Sequence, residues 1–207
     1  SDYGIDLHTA SLGHTNLPHV RAHMSETRVR RLARAFGLEV ILDAPGRSRT
    51  LRAAATRSGV ATVLCEAGET FRFQRHLVGR GVRGIRNVLA ALGMIAEPRR
   101  RPRFQVVVKV APWVRAPKGG IADVQVRPGE LVYKGDAIAS ITNPFGREVS
   151  AVRSPITGLV VGVTTVPMVQ PGDTLCHVAK LQRTLATVER YAVVDSRGRR
   201  TLLIEGV

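Results

Sequence analysis

The stretch Val60-Ala-Thr-Val-Leu-Cys-Glu-Ala-Gly-Glu69 decides the fold class of this chain. Its first six residues, 60–65, are nearly all apolar, which is typical of a strand buried on both faces of a sheet. Tyr3–His8 and Glu39–Leu42 also have the composition of short strands. Helical patterns lie between and after these strands, and such an alternation predicts an α/β layer sheet over the first half of the chain.

The helices are predicted from the spacing of apolar residues and from their ends. A first helix opens at Ser25 and Glu26 and stops at Gly37, because apolar residues recur between them at helical spacing. Thr50 can cap a short helix that runs through Arg57, and a longer helical stretch covers residues 77–92. Residues 9–24 are polar and contain a proline, so they are predicted to form a loop.

The second half of the chain has a different character. Residues 104–207 consist of short Val- and Ile-rich runs separated by Gly and Pro turns, which predicts an all-β module. The arginine-rich run 99–103 is the predicted linker, so residues 1–98 form the predicted α/β portion. Lys134–Ile141 aligns weakly with Pro171–Val178, and the two copies predict a small β-sandwich or barrel that resembles the biotinyl/lipoyl fold. The region between the copies has no Lys to carry a prosthetic group, which favours a structural or regulatory role.

Composition narrows the functional classes. The net charge is +15, which can indicate nucleic acid, but the cations are mostly scattered and aromatic residues make up only 4% of the chain. We therefore do not expect nucleic acid as a partner. No apolar run is long enough for a membrane span and no secretory signal is recognisable, so a cytoplasmic location is predicted. Cys65 and Cys176 each lie in an apolar run and are predicted to be buried hydrophobes.

Two ionisable side chains follow predicted strands directly: His8 and Glu66. In open α/β sheets, sites form in the crevice beyond the carboxyl ends of the strands. A neutral imidazole there can bind zinc, and a carboxylate can take a proton from metal-bound water. Each residue alone could equally satisfy nearby backbone groups, but the pair together favours a functional site.

Three short motifs in order carry a family resemblance: Asp6-Leu-His-Thr9, then Asn16-Leu-Pro-His-Val-Arg21, then Glu66-Ala-Gly-Glu69. This set resembles the succinylglutamate desuccinylase/aspartoacylase family, relatives of the zinc carboxypeptidases. The resemblance implies a partial zinc-carboxypeptidase-like sheet layer followed by a β domain. It also implies that His8 is a Zn²⁺ ligand and Glu66 the catalytic base, and that the substrate is a small N-acyl amino acid or related amide. Some relatives keep an arginine for the substrate carboxylate near this strand, which makes Arg57 a candidate, but its spacing is only approximate and an ordinary surface arginine is the favoured alternative.

The family's first motif, Gly-x-His-Gly-x-Glu, supplies two further zinc ligands and does not occur in this sequence. The chain therefore carries one ligand where three protein ligands are expected. We expect it to be an incomplete portion of the enzyme, which alone neither holds zinc tightly nor turns over substrate. The alternative function is a non-catalytic basic module that binds a partner through its arginines. A homo-oligomer is possible. The sequence does not determine which acyl group and which amine the substrate contains.

Overall fold

The computed structural model describes residues 1–147 and 149–202, and the last five residues of the predicted β domain lie outside this range. The strands within it are β1 (Tyr3–His8), β2 (His14–Ala22), β3 (Val40–Asp43), β4 (Ala61–Glu69), β5 (Val106–Val108), β6 (Trp113–Arg115), β7 (Gly120–Val124), β8 (Leu131–Val132), β9 (Ala137–Thr142), β10 (Val149–Arg153), β11 (Gly158–Thr164), β12 (Met168–Val169), β13 (Thr174–Lys180), β14 (Ala192–Val194) and β15 (Arg200–Leu202). The helices are α1 (Thr27–Phe36), α2 (Leu51–Arg57), α3 (Arg75–Ala91) and α4 (Leu185–Tyr191).

The elements predicted for the first half of the chain are present. Strand β1 has the predicted bounds, and α1 ends at Gly37, which adopts the left-handed conformation that glycine tolerates best. The Thr50 side chain accepts a hydrogen bond from the backbone N–H of Ala53 and so caps α2 as expected. Strand β4 extends through Glu69, so Glu66 lies within this strand rather than after it.

The predicted loop at residues 9–24 is wrong over most of its length, because strand β2 occupies residues 14–22. Pro18 lies where the register between β2 and β4 shifts, between Asn16 and His19. A proline has no N–H to give to a sheet ladder, and a bulge is one of the few places in a strand that accept it. The proline that argued for a loop therefore marks an irregularity inside a strand.

Within the described residues, one mixed sheet of nine strands runs through both halves of the chain. Strand β1 pairs in parallel with β4, and β4 pairs antiparallel with β2. Strand β2 then pairs with β3 and, through Asn16 and its neighbours, with β11 of the second half. The β-rich part therefore continues the sheet of the α/β part, and the prediction of a separate small β domain is not confirmed.

A four-stranded sheet, ordered β10-β9-β7-β12, packs over the β11 and β13 end of the large sheet. The two repeat copies contain β9 and β13, which lie in different sheets and contribute to the same buried core. A sandwich-like packing is thus present, although its larger layer is shared with the α/β part. The predicted boundaries at residues 98 and 104 stay a prediction.

Segment 99–103 has no regular secondary structure but is anchored at its centre. The Asn87 side chain accepts a hydrogen bond from the Arg100 N–H at 2.8 Å and donates one to the Arg100 carbonyl at 2.9 Å. Two hydrogen bonds from one buried amide fix this backbone against α3.

Helices α1 and α3 pack together on one face of the sheet through a close contact. A Cβ at Gly84 would lie 2.3 Å from the ring of Phe36, which is buried, so glycine allows the two helices to approach. Phe36 of α1, Val88 of α3, and Val63 and Cys65 of β4 belong to one apolar core. None of the helices in the described residues is long and apolar enough to cross a bilayer.

Candidate active site

The parallel pairing of β1 with β4 places the two predicted site residues side by side. His8 is the register partner of Glu66, and Asp6 is the partner of Leu64. Register partners lie about 4.8 Å apart across a sheet and point to the same face. Side chains alternate along a strand, so Val63 and Cys65 point to the face covered by α1 and α3. His8 and Glu66 point to the opposite face.

Asp6 holds the imidazole of His8. The Nε2 atom of His8 lies 3.0 Å from Oδ1 of Asp6, and the side chains are 46% and 21% exposed. This contact engages one ring nitrogen and leaves Nδ1 for another partner. A histidine held by a carboxylate in this way has the arrangement of a metal ligand with its supporting group.

The carboxylate of Glu66 is positioned by two residues of β2. The Asn16 Nδ2 group donates a hydrogen bond to Oε2 at 3.2 Å, and the Arg21 Nε atom lies 3.8 Å from Oε1. The Glu66 side chain is only 14% exposed, so these contacts restrict its rotation. Asn16 and Arg21 belong to the second sequence motif, but the predicted loop gave no reason to place them here.

His19 orients Arg21 from behind the site. Its Nδ1 lies 2.8 Å from the Leu17 carbonyl, which can only accept, so Nδ1 carries the proton and Nε2 accepts from Arg21 Nε at 3.3 Å. Burial, and secondarily the Arg21 charge, lower the pKa of His19 to about 3. The imidazole is therefore neutral at physiological pH, which this hydrogen-bond chain requires.

Arg52 is a site residue that the sequence did not indicate. Its side chain is buried, its Nη1 donates to the Arg21 carbonyl at 3.2 Å, and its Nε has no partner among the described residues. Burial and the nearby Arg21 lower the pKa of its guanidinium, whereas Asp6 and Glu66 raise it. A buried guanidinium with an unused donor is suited to bind an anionic group.

Arg57, the predicted substrate ligand, is not brought to the site. Its side chain is exposed and donates to the Ser48 carbonyl at 2.8 Å. Five residues correspond to about 500° of rotation on a helix, so Arg52 and Arg57 of α2 point in directions roughly 140° apart. Arg52 therefore lines the cavity and Arg57 does not.

The candidate site lies in one open cavity of about 790 Å³. The sheet contributes Asp6, His8 and Glu66, and the loop before α2 with its first turn contributes Arg47 and Arg52 opposite them. Such a volume accommodates a small substrate. No group of three potential His, Cys, Asp or Glu ligands is assembled anywhere in residues 1–147 and 149–202.

The remaining histidines and the cysteines lie outside the cavity. His14 Nε2 bonds to the Thr174 hydroxyl at 2.7 Å, and His23 Nε2 to the Ser25 hydroxyl at 2.7 Å. Cys65 and Cys176 are buried free thiols, and burial raises the pKa of each to about 12. Both cysteines are the inert core residues that their apolar surroundings predicted.

Residues 1–92 match the model of the Succinylglutamate desuccinylase/Aspartoacylase catalytic domain. Over its first 92 residues the chain is therefore similar to that catalytic domain. The family is named after two deacylases, and the match contains His8, Glu66 and their supporting residues. No curated protein matches the sequence.

Solved structures extend the likeness beyond the matched segment. The chain is similar to the ectoine utilization protein EutE (DoeB) of Ruegeria pomeroyi, with a TM-score of 0.80, 19% identity, and coverage of 87% of this chain and 61% of that one. It is also similar to a succinylglutamate desuccinylase from Silicibacter sp. TM1040 (TM-score 0.77, 19% identity, coverage 88% and 59%). A third is the succinylglutamatedesuccinylase/aspartoacylase of Rhodobacter sphaeroides (0.76, 23%, 88% and 59%).

These likenesses show the fold, and they include most of the β-rich part because they cover 87% or 88% of the chain. The chain in turn spans about three fifths of the length of these structures. The continuous sheet that joins its two halves is therefore part of the shared fold.

Proposed function

We propose that this chain is part of a zinc-dependent deacylase that hydrolyses the amide bond of an N-acyl amino acid or a related small substrate. The observation that supports this most strongly is the register pairing of His8 with Glu66 inside a cavity of substrate size. The match of residues 1–92 to the catalytic-domain model of a deacylase family also supports it.

The fit to zinc is partial and lies in the His8–Asp6 pair. His8 would bind the ion through Nδ1, because Nε2 is held by Asp6. Bound zinc would supply a water that ionises near neutral pH and a positive charge for the carbonyl oxygen. The described residues offer one such histidine in the cavity, so the other two ligands would come from a segment that carries the family's Gly-x-His-Gly-x-Glu motif.

Glu66 is the proposed general base. It accepts a proton from the attacking water, whose oxygen bonds to the acyl carbon, and it then gives this proton to the amine nitrogen as the C–N bond breaks. The products are a carboxylic acid and a free amine. Asn16 and Arg21 hold the two carboxylate oxygens, so they keep Glu66 aimed at the water throughout both proton transfers.

The charges that line the cavity support a substrate with a free carboxylate. Arg21, Arg47 and Arg52 face the cavity, and an N-acyl amino acid carries one carboxylate beside its amide. We assign the carboxylate contact to Arg52 in place of Arg57, because its Nε is buried beside the cavity and free to donate among the described residues. A guanidinium fork binds a carboxylate through two parallel hydrogen bonds.

The experiment is a deacylation screen of the full-length gene product, with free amine measured after incubation with N-acetyl and N-succinyl amino acids. We expect activity that a chelator removes and zinc restores. The His8→Ala variant should lose bound zinc and activity together, whereas His23→Ala, outside the cavity, should lose neither. A full-length protein that binds one zinc yet cleaves none of these amides would refute the proposal.

The rival function, a non-catalytic basic module, predicts a different result. In that case neither zinc nor His8 affects any property other than folding, and binding to anionic partners weakens steeply with salt. The screen therefore separates the two functions.

A further inference from the structure

A second concave surface lies on the side of the sheet covered by α1 and α3. We call it the arginine groove. Its charged lining consists of three arginines of α1 (Arg28, Arg31 and Arg34) and three of the anchored segment (Arg99, Arg100 and Arg101). The groove encloses about 570 Å³, a volume typical of small-molecule sites.

The positive charge of the groove is not balanced from within. No acidic residue is found in its lining, and the guanidinium groups of Arg31, Arg34, Arg99 and Arg101 form no ion pair or hydrogen bond within residues 1–147 and 149–202. The Arg28 guanidinium donates only to the carbonyls of Asp2 and Gly59. Two exposed arginines outside the groove, Arg72 and Arg86, do have carboxylate partners. Guanidinium groups gathered in a concavity repel one another unless an anion lies between them.

Both walls of the groove are fixed. One wall is the regular helix α1. The opposite wall is held by Asn87, which bonds to both backbone groups of Arg100, and by Gln105, whose amide donates to the Arg34 and Leu38 carbonyls. Because the backbone on both sides of the groove is already ordered, a ligand that enters restricts only the arginine side chains.

The floor of the groove is apolar, with Ala35, Leu92 and Phe104 partly buried there. Its aromatic rings are already engaged. Phe104 stacks on Tyr191 with centroids 4.8 Å apart, and the Arg28 guanidinium lies 4.9 Å above the ring of Tyr3. Single-stranded nucleic acid needs free rings on which successive bases stack, so this groove does not favour it.

The groove is separate from the candidate active site. Tyr3, at the start of β1, lines the groove, whereas His8, at the end of the same strand, lines the catalytic cavity. The two cavities share no lining residue among those described, and they lie on opposite faces of the sheet. A ligand in the groove would therefore not be the deacylation substrate.

We propose that the arginine groove binds an organic polyphosphate, a small molecule with at least two phosphate groups and an apolar part. Phosphate groups concentrate negative charge in a small volume, and their oxygens match the planar guanidinium fork. Linked phosphates would span the arginines of both walls, and the apolar part would lie against Leu92 and Phe104.

The test is calorimetric titration of the full-length protein at physiological ionic strength with adenosine triphosphate, inorganic tripolyphosphate, an oligonucleotide and an acidic peptide. We expect one site for adenosine triphosphate and weaker binding of tripolyphosphate, which has no apolar part. The double variant Arg31→Ala/Arg101→Ala removes one guanidinium from each wall and should bind adenosine triphosphate roughly 100-fold more weakly.

The matched control is Arg127→Ala/Arg183→Ala, which removes the same charge from exposed positions outside the groove. It should change the affinity less than about 2-fold, because neither arginine lines the groove and salt screens charges on the exposed surface. Equal weakening in both variants would overturn the proposal, as would tripolyphosphate binding as tightly as adenosine triphosphate. Tighter binding of the oligonucleotide or the peptide would also overturn it.

Discussion

Acid should destabilise this chain through two buried histidines, and the size of the effect follows from their surroundings. Burial lowers the pKa of His19 to about 3 and that of His177 to about 4. His177 stacks on Trp113 at 4.3 Å, its Nε2 contacts the Ala111 carbonyl at 2.8 Å, and its Nδ1 has no partner among the described residues. At mildly acidic pH, neither imidazole binds a proton while the chain is folded.

The unfolded chain binds more protons than the folded one between the ordinary histidine pKa of about 6.5 and these lowered values. Stability is therefore complete above about pH 6.5 and falls as the pH decreases towards 4 and 3. Between pH 7.5 and pH 5, each histidine lowers the free energy of unfolding by about 2 kcal/mol, and the two together lower it by about 4 kcal/mol.

Urea denaturation at pH 7.5 and pH 5.0 measures this loss. Between the two pH values, the free energy of unfolding of the His19→Gln variant should fall by about 2 kcal/mol less than that of the wild type. This difference does not depend on the absolute stability of the variant. The variant His76→Gln, at an exposed position of α3, serves as the control and should show the wild-type loss. An unchanged stability of the wild type at pH 5.0, or a full loss in His19→Gln, would refute the reasoning.

Two further predictions concern the cavity and the helix contact. In the full-length protein, Arg52→Ala should raise KM for N-acyl amino acids about 10-fold or more while Arg57→Ala leaves it unchanged, and the reverse order in steady-state kinetics would restore the sequence-based assignment. Gly84→Val should destabilise the chain by about 1–3 kcal/mol in urea denaturation, because its side chain would overlap the Phe36 ring. Gly81→Ala, which meets no neighbour within 4 Å, should be neutral or stabilising by up to about 1 kcal/mol, and a comparable loss in both variants would contradict the packing account.

Local signals in the sequence were sufficient to predict the helices near the candidate site. The apolar spacing before Gly37 and the cap at Thr50 each depend on neighbours within a few residues, and α1 and α2 follow them. The order of the motifs was sufficient to predict the family whose catalytic-domain model matches residues 1–92. The pairing of His8 with Glu66 followed from two strands that run in the same direction.

The remainder depends on contacts between residues far apart in the chain. Strand β2 was missed because Pro18 and several polar residues contradict the strand pattern, and only pairing with β4 and β11 makes that segment a strand. Because β2 was predicted as a loop, the contacts of Asn16 and Arg21 with Glu66 were not predicted either. The shared sheet was not predictable either, because no local pattern indicates that β2 pairs with β11.

The most direct test of the account is the Glu66→Gln substitution in the full-length protein, with zinc content and deacylation rate measured on the same preparation. Glutamine preserves the shape of the side chain but cannot accept the proton, so we predict unchanged zinc and a kcat lower by a factor of about 100 to 10,000. A variant that keeps its zinc and turns over substrate at close to the wild-type rate would contradict the role of Glu66 and, with it, the proposed deacylase site.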